Sequence, residues 1–171
     1  MHRTERGFTL IELLIVVAII GIIAAMLIPN MLGVMQKAKQ KRTMADQKLA
    51  GTAMMAWLTD QAAAAAAGQG EVFTMGHYSM ISYDDLTEAL IPQYTGKIAR
   101  RDGWNWSFDY RLNVGDPHGE QVMAIRSLGR DGVAEGSSYS GGAFEPLEYD
   151  RDIVWADGFF VSWPQGLGES F

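Results

Sequence analysis

A single carboxylate, Glu12, stands near the start of a nearly unbroken apolar run from Phe8 to Pro29. At roughly 1.5 Å per helical residue, this run of about 22 residues spans about 30 Å, enough to cross a bilayer. An acid at the centre of a membrane helix costs about 2.5–3.5 kcal/mol and less near the interface, so Glu12 is tolerable there and is expected to have a task. A secretory signal has a shorter, acid-free apolar core followed by a small-residue cleavage site. Here the small residue Gly7 precedes the run, which points to processing on its cytoplasmic side. Elsewhere no nucleophile–base pair, phosphate loop or zinc spacing occurs, so the chain does not read as an enzyme. His77 and His118 have no cysteine or third histidine at metal spacing and read as turn or surface residues. Trp104, Trp106, Trp155 and Trp163 read as packing residues rather than a sugar platform.

These residues need elements to position them. The apolar segment 8–30 is expected to be a helical anchor, with Gly21 and Pro29 as sites of a kink or melted turn, because proline withholds a backbone donor. Residues 31–67 contain no proline and are rich in helix formers, so the helix should continue as an amphipathic stem. Ala38, Ala45, Leu49, Ala53 and Trp57 recur at helical spacing and form its expected apolar face, with Gly51 a weak point. Ala62–Ala67 and Gly68-Gln69-Gly70 read as a last turn with a glycine stop. The head, 68–171, begins with Glu71–Ser79, irregular or a short strand, and continues with a short helix at Asp84–Ile91, capped by Ser82 and ended by Pro92. Trp104–Leu112 and Gln121–Leu128 read as a hairpin joined through Gly115-Asp116-Pro117-His118-Gly119, and Ile153–Trp155 and Phe159–Trp163 as a strand pair around Asp157-Gly158. The predicted class is α+β, a long N-terminal helix packed on a small antiparallel sheet.

The chain has 171 residues and no cysteine. Once the long helix is set aside, about 110 residues remain for one head, which without disulfides needs another device to hold its loops, a bound metal being one candidate. The net charge of −6 is uneven. Lys37, Lys39, Lys41, Arg42 and Lys48 form a basic band after the apolar run, readable as a headgroup or neighbour-subunit contact or as a solvated helix face. From Asp131 onward there are eight acids against the lone Arg151, which argues against nucleic-acid binding by the head.

The stretch GFTLIELLIVVAIIGIIAAMLIPN resembles the N-terminus of type IV pilins and type II secretion pseudopilins. The resemblance implies that a prepilin peptidase cuts between Gly7 and Phe8, removing leader 1–7, and methylates the new amino group of Phe8. Glu12 then becomes the filament-assembly glutamate. Its physical logic is neutralisation: the amine of one subunit, with an ordinary pKa of about 7.7–8, and the carboxylate of a neighbour relieve each other's desolvation in a dry helical bundle. Gly21 and Pro29 fall where the family's helix loosens in the filament. The positive-inside rule, counted on Lys and Arg, would put the basic band in the cytoplasm; the resemblance overrules it and implies an inner-membrane anchor with a periplasmic head.

Further on, Leu86–Ile91, Tyr94 and Asp102-Gly103-Trp104-Asn105-Trp106-Ser107-Phe108-Asp109-Tyr110 resemble the major pseudopilin of type II secretion. Gly103, Asn105 and Ser107 stand where that family has Pro, Gly and Pro, so a different turn geometry is expected. His118-Gly119, Ser127-Leu128-Gly129-Arg130-Asp131-Gly132 and Asp150-Arg151-Asp152-Ile153 with Trp155 resemble its later motifs. The linker Val133–Tyr149 is longer than usual, and Ala156–Phe171 is an extra tail. The resemblance implies calcium in this loop, with the Leu128 carbonyl and the carboxylates of Asp131, Asp150 and Asp152 as donors and Glu135, Glu145 and Glu148 as spare acids. It also implies a homopolymer of like subunits, with an inner-membrane assembly platform and minor pseudopilins as partners. The function implied is a structural subunit of a type II secretion pseudopilus that supports export across the outer membrane. The alternative is a type IV pilin for adhesion, twitching or DNA uptake, usually closed by a disulfide that this chain lacks.

Overall fold

The computed structural model describes residues 7–66, 79–112, 122–137, 139 and 141–167, without the side chains of 61–66 and 79. The chain divides into two compact units, Met1–Gln36 and Lys37–Phe171. Helix α1 runs from Leu10 to Ala66. In the first unit its apolar side chains, from Leu10 to Met35, are exposed on every side. This is the pattern of a helix whose solvent is lipid or like helices rather than water. Of the kink or melted turn expected between Gly21 and Pro29, the melted turn does not occur in this single chain: α1 continues as helix through Pro29. One missing donor leaves the surrounding ladder intact, and in a single chain nothing competes for the freed carbonyl.

In the second unit α1 packs on a six-stranded sheet. Its strands are β1 (Ser79–Met80), β2 (Asp109–Leu112), β3 (Met123–Ser127), β4 (Gly142–Phe144), β5 (Ile153–Ala156) and β6 (Phe159–Pro164). Their order is β1-β2-β3-β5-β6-β4. The pairings are antiparallel except that of β4 with β6, so the sheet is mixed and not purely antiparallel as expected. The difference lies in the long linker, which contributes β4 beside β6 as an edge strand. Its glycine-rich sequence carries no alternation to announce it. The tail is no appendage, since β6 pairs with both β5 and β4. Asp157-Gly158 forms the expected tight turn, with φ of 47° and 100°, the positive pair that a type I′ hairpin requires.

Helix α2 (Tyr83–Leu90) starts at Ser82, whose hydroxyl accepts from Asp84 N at 3.2 Å, as predicted. The strand expected at Trp104–Leu112 begins only at Asp109, because Asp102–Asn105 is a turn. The connection Gly115–Gly119, His77 and most of Glu71–Ser79 lie outside the described residues.

The buried face of the stem is not the one the apolar residues predicted. Ala38, Ala45 and Leu49 are exposed, and of the predicted set only Ala53 is buried and Trp57 half-buried. The face on the sheet is Gln40, Thr43, Met44, Gln47, Ala50, Gly51 and Met54, also at helical spacing. Of its polar members, Gln47 finds partners on the sheet and Thr43 on the helix and the Gly103 turn, while the Gln40 amide is buried without a partner among the described residues. Gln47 Nε2 donates to the carbonyls of Ile125 (3.1 Å) and Ile153 (2.7 Å), joining the stem to β3 and β5. Thr43 Oγ1 donates to Lys39 O and accepts from Gly103 N, each at 2.9 Å. Ala50, Met54, Leu86, Leu90, Tyr110, Ile125 and Trp155 share the main core. Gly51 is required, not weak: a Cβ there would lie 2.4 Å from the Trp155 indole.

Candidate functional site

The N-terminal segment places Gly7 and Phe8 just ahead of α1, with Phe8 exposed. Thr9 caps the helix. Glu12 N donates to Thr9 Oγ1 at 3.3 Å, while Glu12 Oε2 accepts from Thr9 N at 2.9 Å and from Thr9 Oγ1 at 2.6 Å. This is a reciprocal capping box, which satisfies helix-end donors and holds the carboxylate beside the residue that follows Phe8. Thr9 was missed in the sequence although Thr-x-x-Glu is the pattern that announces such a box. The carboxylate thus has a partner within one chain. It remains close in sequence to the amine that cleavage after Gly7 would create.

In the head, three sequence motifs meet at one corner. Buried Asp102 organises it: Oδ1 accepts from the backbone N–H groups of Trp104 and Trp106, both at 2.9 Å, and Oδ2 accepts from Ser127 Oγ at 2.7 Å. The substitutions around it have structural reasons. Gly103 supplies the N–H that Thr43 accepts, which proline could not, and a Cβ there would meet Lys39 O at 2.4 Å. Asn105 has φ of 76°, and asparagine tolerates the left-handed region better than other residues with a side chain. Gly129 has φ of 65°, and any Cβ there would strike the Asp150 and Arg151 backbone within 2.8 Å. The S-L-G-R-D-G and D-R-D-I segments therefore lie against one another.

The predicted calcium donors are placed differently from the expectation. Asp150 receives a two-pronged contact from Arg130, with Nε to Oδ1 at 2.7 Å and Nη2 to Oδ2 at 2.6 Å. This pairing holds the Asp150 carboxyl below its ordinary pKa. Asp131 Oδ1 accepts from Val133 N at 3.0 Å within its own turn. Asp152 is fully buried; its Oδ2 accepts from Glu135 N at 3.1 Å and from the Tyr139 hydroxyl, and its Oδ1 has no partner among the described residues. Burial raises the pKa of Asp152. Leu128 is half-buried between Ser127 and Gly129. Glu135 and Glu148 both face Arg151, at 2.6 and 3.8 Å, and Glu145 N donates to Glu148 Oε2 at 3.1 Å. The orphaned Asp152 Oδ1 is a single oxygen where calcium needs six to eight. No cluster of three acidic or histidine side chains at metal-holding distance exists among the described residues. The residues present do not fit the ion in this arrangement.

A lipid-length apolar helix with a capped carboxylate at its start, continuing as the stem of an α+β head, defines the pilin class of filament subunit. The comparisons narrow it. Residues 2–28 match the model described as the prokaryotic N-terminal methylation motif. The chain is 30% identical over 133 residues to a type II secretion system core protein G of Klebsiella michiganensis, covering 77% of this chain and 88% of that one. It is 28% identical over 131 residues to the protein of that name from Vibrio cholerae, covering 76% and 86%. The type IV major pilin protein PilA of Myxococcus xanthus is 46% identical over 57 residues, covering 33% of this chain and 26% of that one. No solved structure matches this chain. The protein belongs to the family of the type II secretion system core protein G, the major pseudopilins. It is therefore a structural protein and not an enzyme, anchored by its apolar helix and assembling with like subunits.

Proposed function

We propose that this protein is the repeating subunit of a type II secretion pseudopilus. A prepilin peptidase removes residues 1–7 and methylates Phe8, the anchor 8–30 holds the subunit in the inner membrane with its head in the periplasm, and an assembly platform with minor pseudopilins builds the filament that supports export across the outer membrane. The observation that carries this reading is the similarity to core protein G over most of both chains, stem and head included. The physical support is the first unit. An apolar helix exposed on every side leaves its surface to lipid or to neighbours, and a carboxylate four residues beyond Phe8 at its start suits the neutralisation of a neighbour's newly cut amine.

The type IV pilin reading keeps one specific observation, the higher identity to PilA, but that match covers a third of the chain. Deleting the gene separates the two. Loss of secreted protein from the medium with surface motility intact is the result expected, and loss of motility or of DNA uptake with secretion intact would reverse the assignment.

A further inference from the structure

We propose that the C-terminal loop of the head is closed by the chain's own arginines, Arg130 on Asp150 foremost, and takes up no calcium. This goes beyond the filament reading and stands or falls without it. The segment between β3 and β5 runs from Leu128 to Asp152 and must be held at both ends to stay folded against the sheet. Protein groups do this at three points. Arg130 grips Asp150 through both carboxylate oxygens, a fork geometry that uses the in-plane lone pairs a metal would need. Arg130 is itself fixed by the loop: its N–H donates to Tyr149 O at 2.8 Å, its carbonyl accepts from Trp106 Nε1 at 3.2 Å, and its guanidinium lies 5.8 Å from the Tyr149 ring centroid.

At the second point Arg151 Nε meets Glu135 Oε1 at 2.6 Å, and its guanidinium lies 5.4 Å from the Phe144 ring centroid on β4. At the third, Arg126 on β3 reaches into the linker. Its Nη1 donates to Gly136 O at 2.6 Å and to Tyr139 Oη at 3.0 Å, and its Nη2 to Asp109 Oδ2 at 2.7 Å. Tyr139 in turn donates to Asp152. Asp150, which the resemblance assigned to calcium, is thus taken through both oxygens by Arg130, Asp152 is held through Oδ2 by the Tyr139–Arg126 chain with only Oδ1 left over, and Asp131 Oδ1 is turned to its own backbone. A dication entering between Asp131 and Asp150 would have to displace the Arg130 guanidinium and then sit beside it, so the like charges oppose exchange. The placement of Arg130 between Gly129 and Asp131 is what puts a fixed cation at this spot.

The full-length protein in detergent micelles is melted with millimolar calcium chloride and again with a chelator, and calcium uptake is measured by equilibrium dialysis. The expected result is coincident melting curves and no retained calcium. Asp150→Asn is expected to lower Tm by on the order of 2 °C with or without calcium, and Arg130→Ala by the same amount in chelator, the scale of an exposed ion pair in a protein of this size, with the double variant falling no further. A calcium response that appears only in Arg130→Ala would support the proposal, since it frees Asp150. Should Arg130→Ala not fold, Arg130→Lys, which keeps the charge without the fork, should melt below the parent with or without calcium. One equivalent of calcium bound by the parent, a parent Tm raised several degrees by the ion, or an Arg130→Ala variant that melts like the parent would each overturn it.

Discussion

Replacing Gly51 with alanine sets two effects of known sign against each other. In a helix interior alanine is favoured over glycine by about 0.8–1.0 kcal/mol, so helix propensity by itself makes the variant more stable. The packing says otherwise. The new Cβ would lie 2.4, 2.5 and 2.7 Å from three atoms of the Trp155 benzo ring, where ordinary carbon contacts are about 3.5–4.0 Å, so the ring must retreat by about 1 Å. Trp155 is 3% exposed and shares its core with Ala50, Met54 and Ile125. A close-packed interior has no room for that movement, and overpacking of this kind costs about 1–3 kcal/mol. The packing loss exceeds the propensity gain over most of that range, giving a net destabilisation of up to about 2 kcal/mol, or a Tm lower by roughly 4–8 °C at the full value. Thermal melts of the detergent-solubilised full chain by circular dichroism measure it. In a Trp155→Phe background the far edge of the indole is gone, and Gly51→Ala should become neutral or stabilising. If the single variant melts above the parent, the close approach of stem and strand is not what selects glycine here.

Gly7→Val should leave the precursor uncut, detected by intact mass as retention of Met1–Gly7, because the added side chain obstructs a peptidase that needs a small residue there; normal shortening would refute the assigned cleavage position. Glu12→Leu should still insert in the membrane, being more lipophilic, yet fail to form filaments, and filaments as abundant as the parent's by electron microscopy would remove the neutralisation argument. Gln47→Leu should cost about 2 kcal/mol in urea unfolding, since it leaves the Ile125 and Ile153 carbonyls without their side-chain donor in a buried position.

The elements readable from the sequence were those whose cause is local. The apolar run after Gly7 specifies a lipid-facing helix whatever the rest of the chain does, and Ser82 and Pro92 bracket α2 because a cap and a missing donor act within a turn of themselves. Asp157-Gly158 set a hairpin through its own φ preferences. The Thr9–Glu12 box belongs to the same group, being written in four consecutive residues. The motifs around Asp102, Ser127 and Asp150 were likewise recognisable as a set before their geometry was known.

What the tertiary structure decided depends on partners far apart in the chain. Gln40, Thr43 and Gln47 look like a solvated face, and only the carbonyls of Ile125 and Ile153, 78 and 106 residues beyond Gln47, make burial of its amide favourable. Gly51 reads as a flaw in a helix until Trp155 is seen against it. The edge strand β4 exists because β6 offers it a ladder. Asp150 could serve a metal or an arginine equally well by composition, and it is the fold's placement of Arg130, between two glycines with positive φ, that brings a guanidinium to both of its oxygens. Short-range pattern sets backbone period and termini, whereas the choice among possible partners is an energy difference that exists only once distant segments share a boundary.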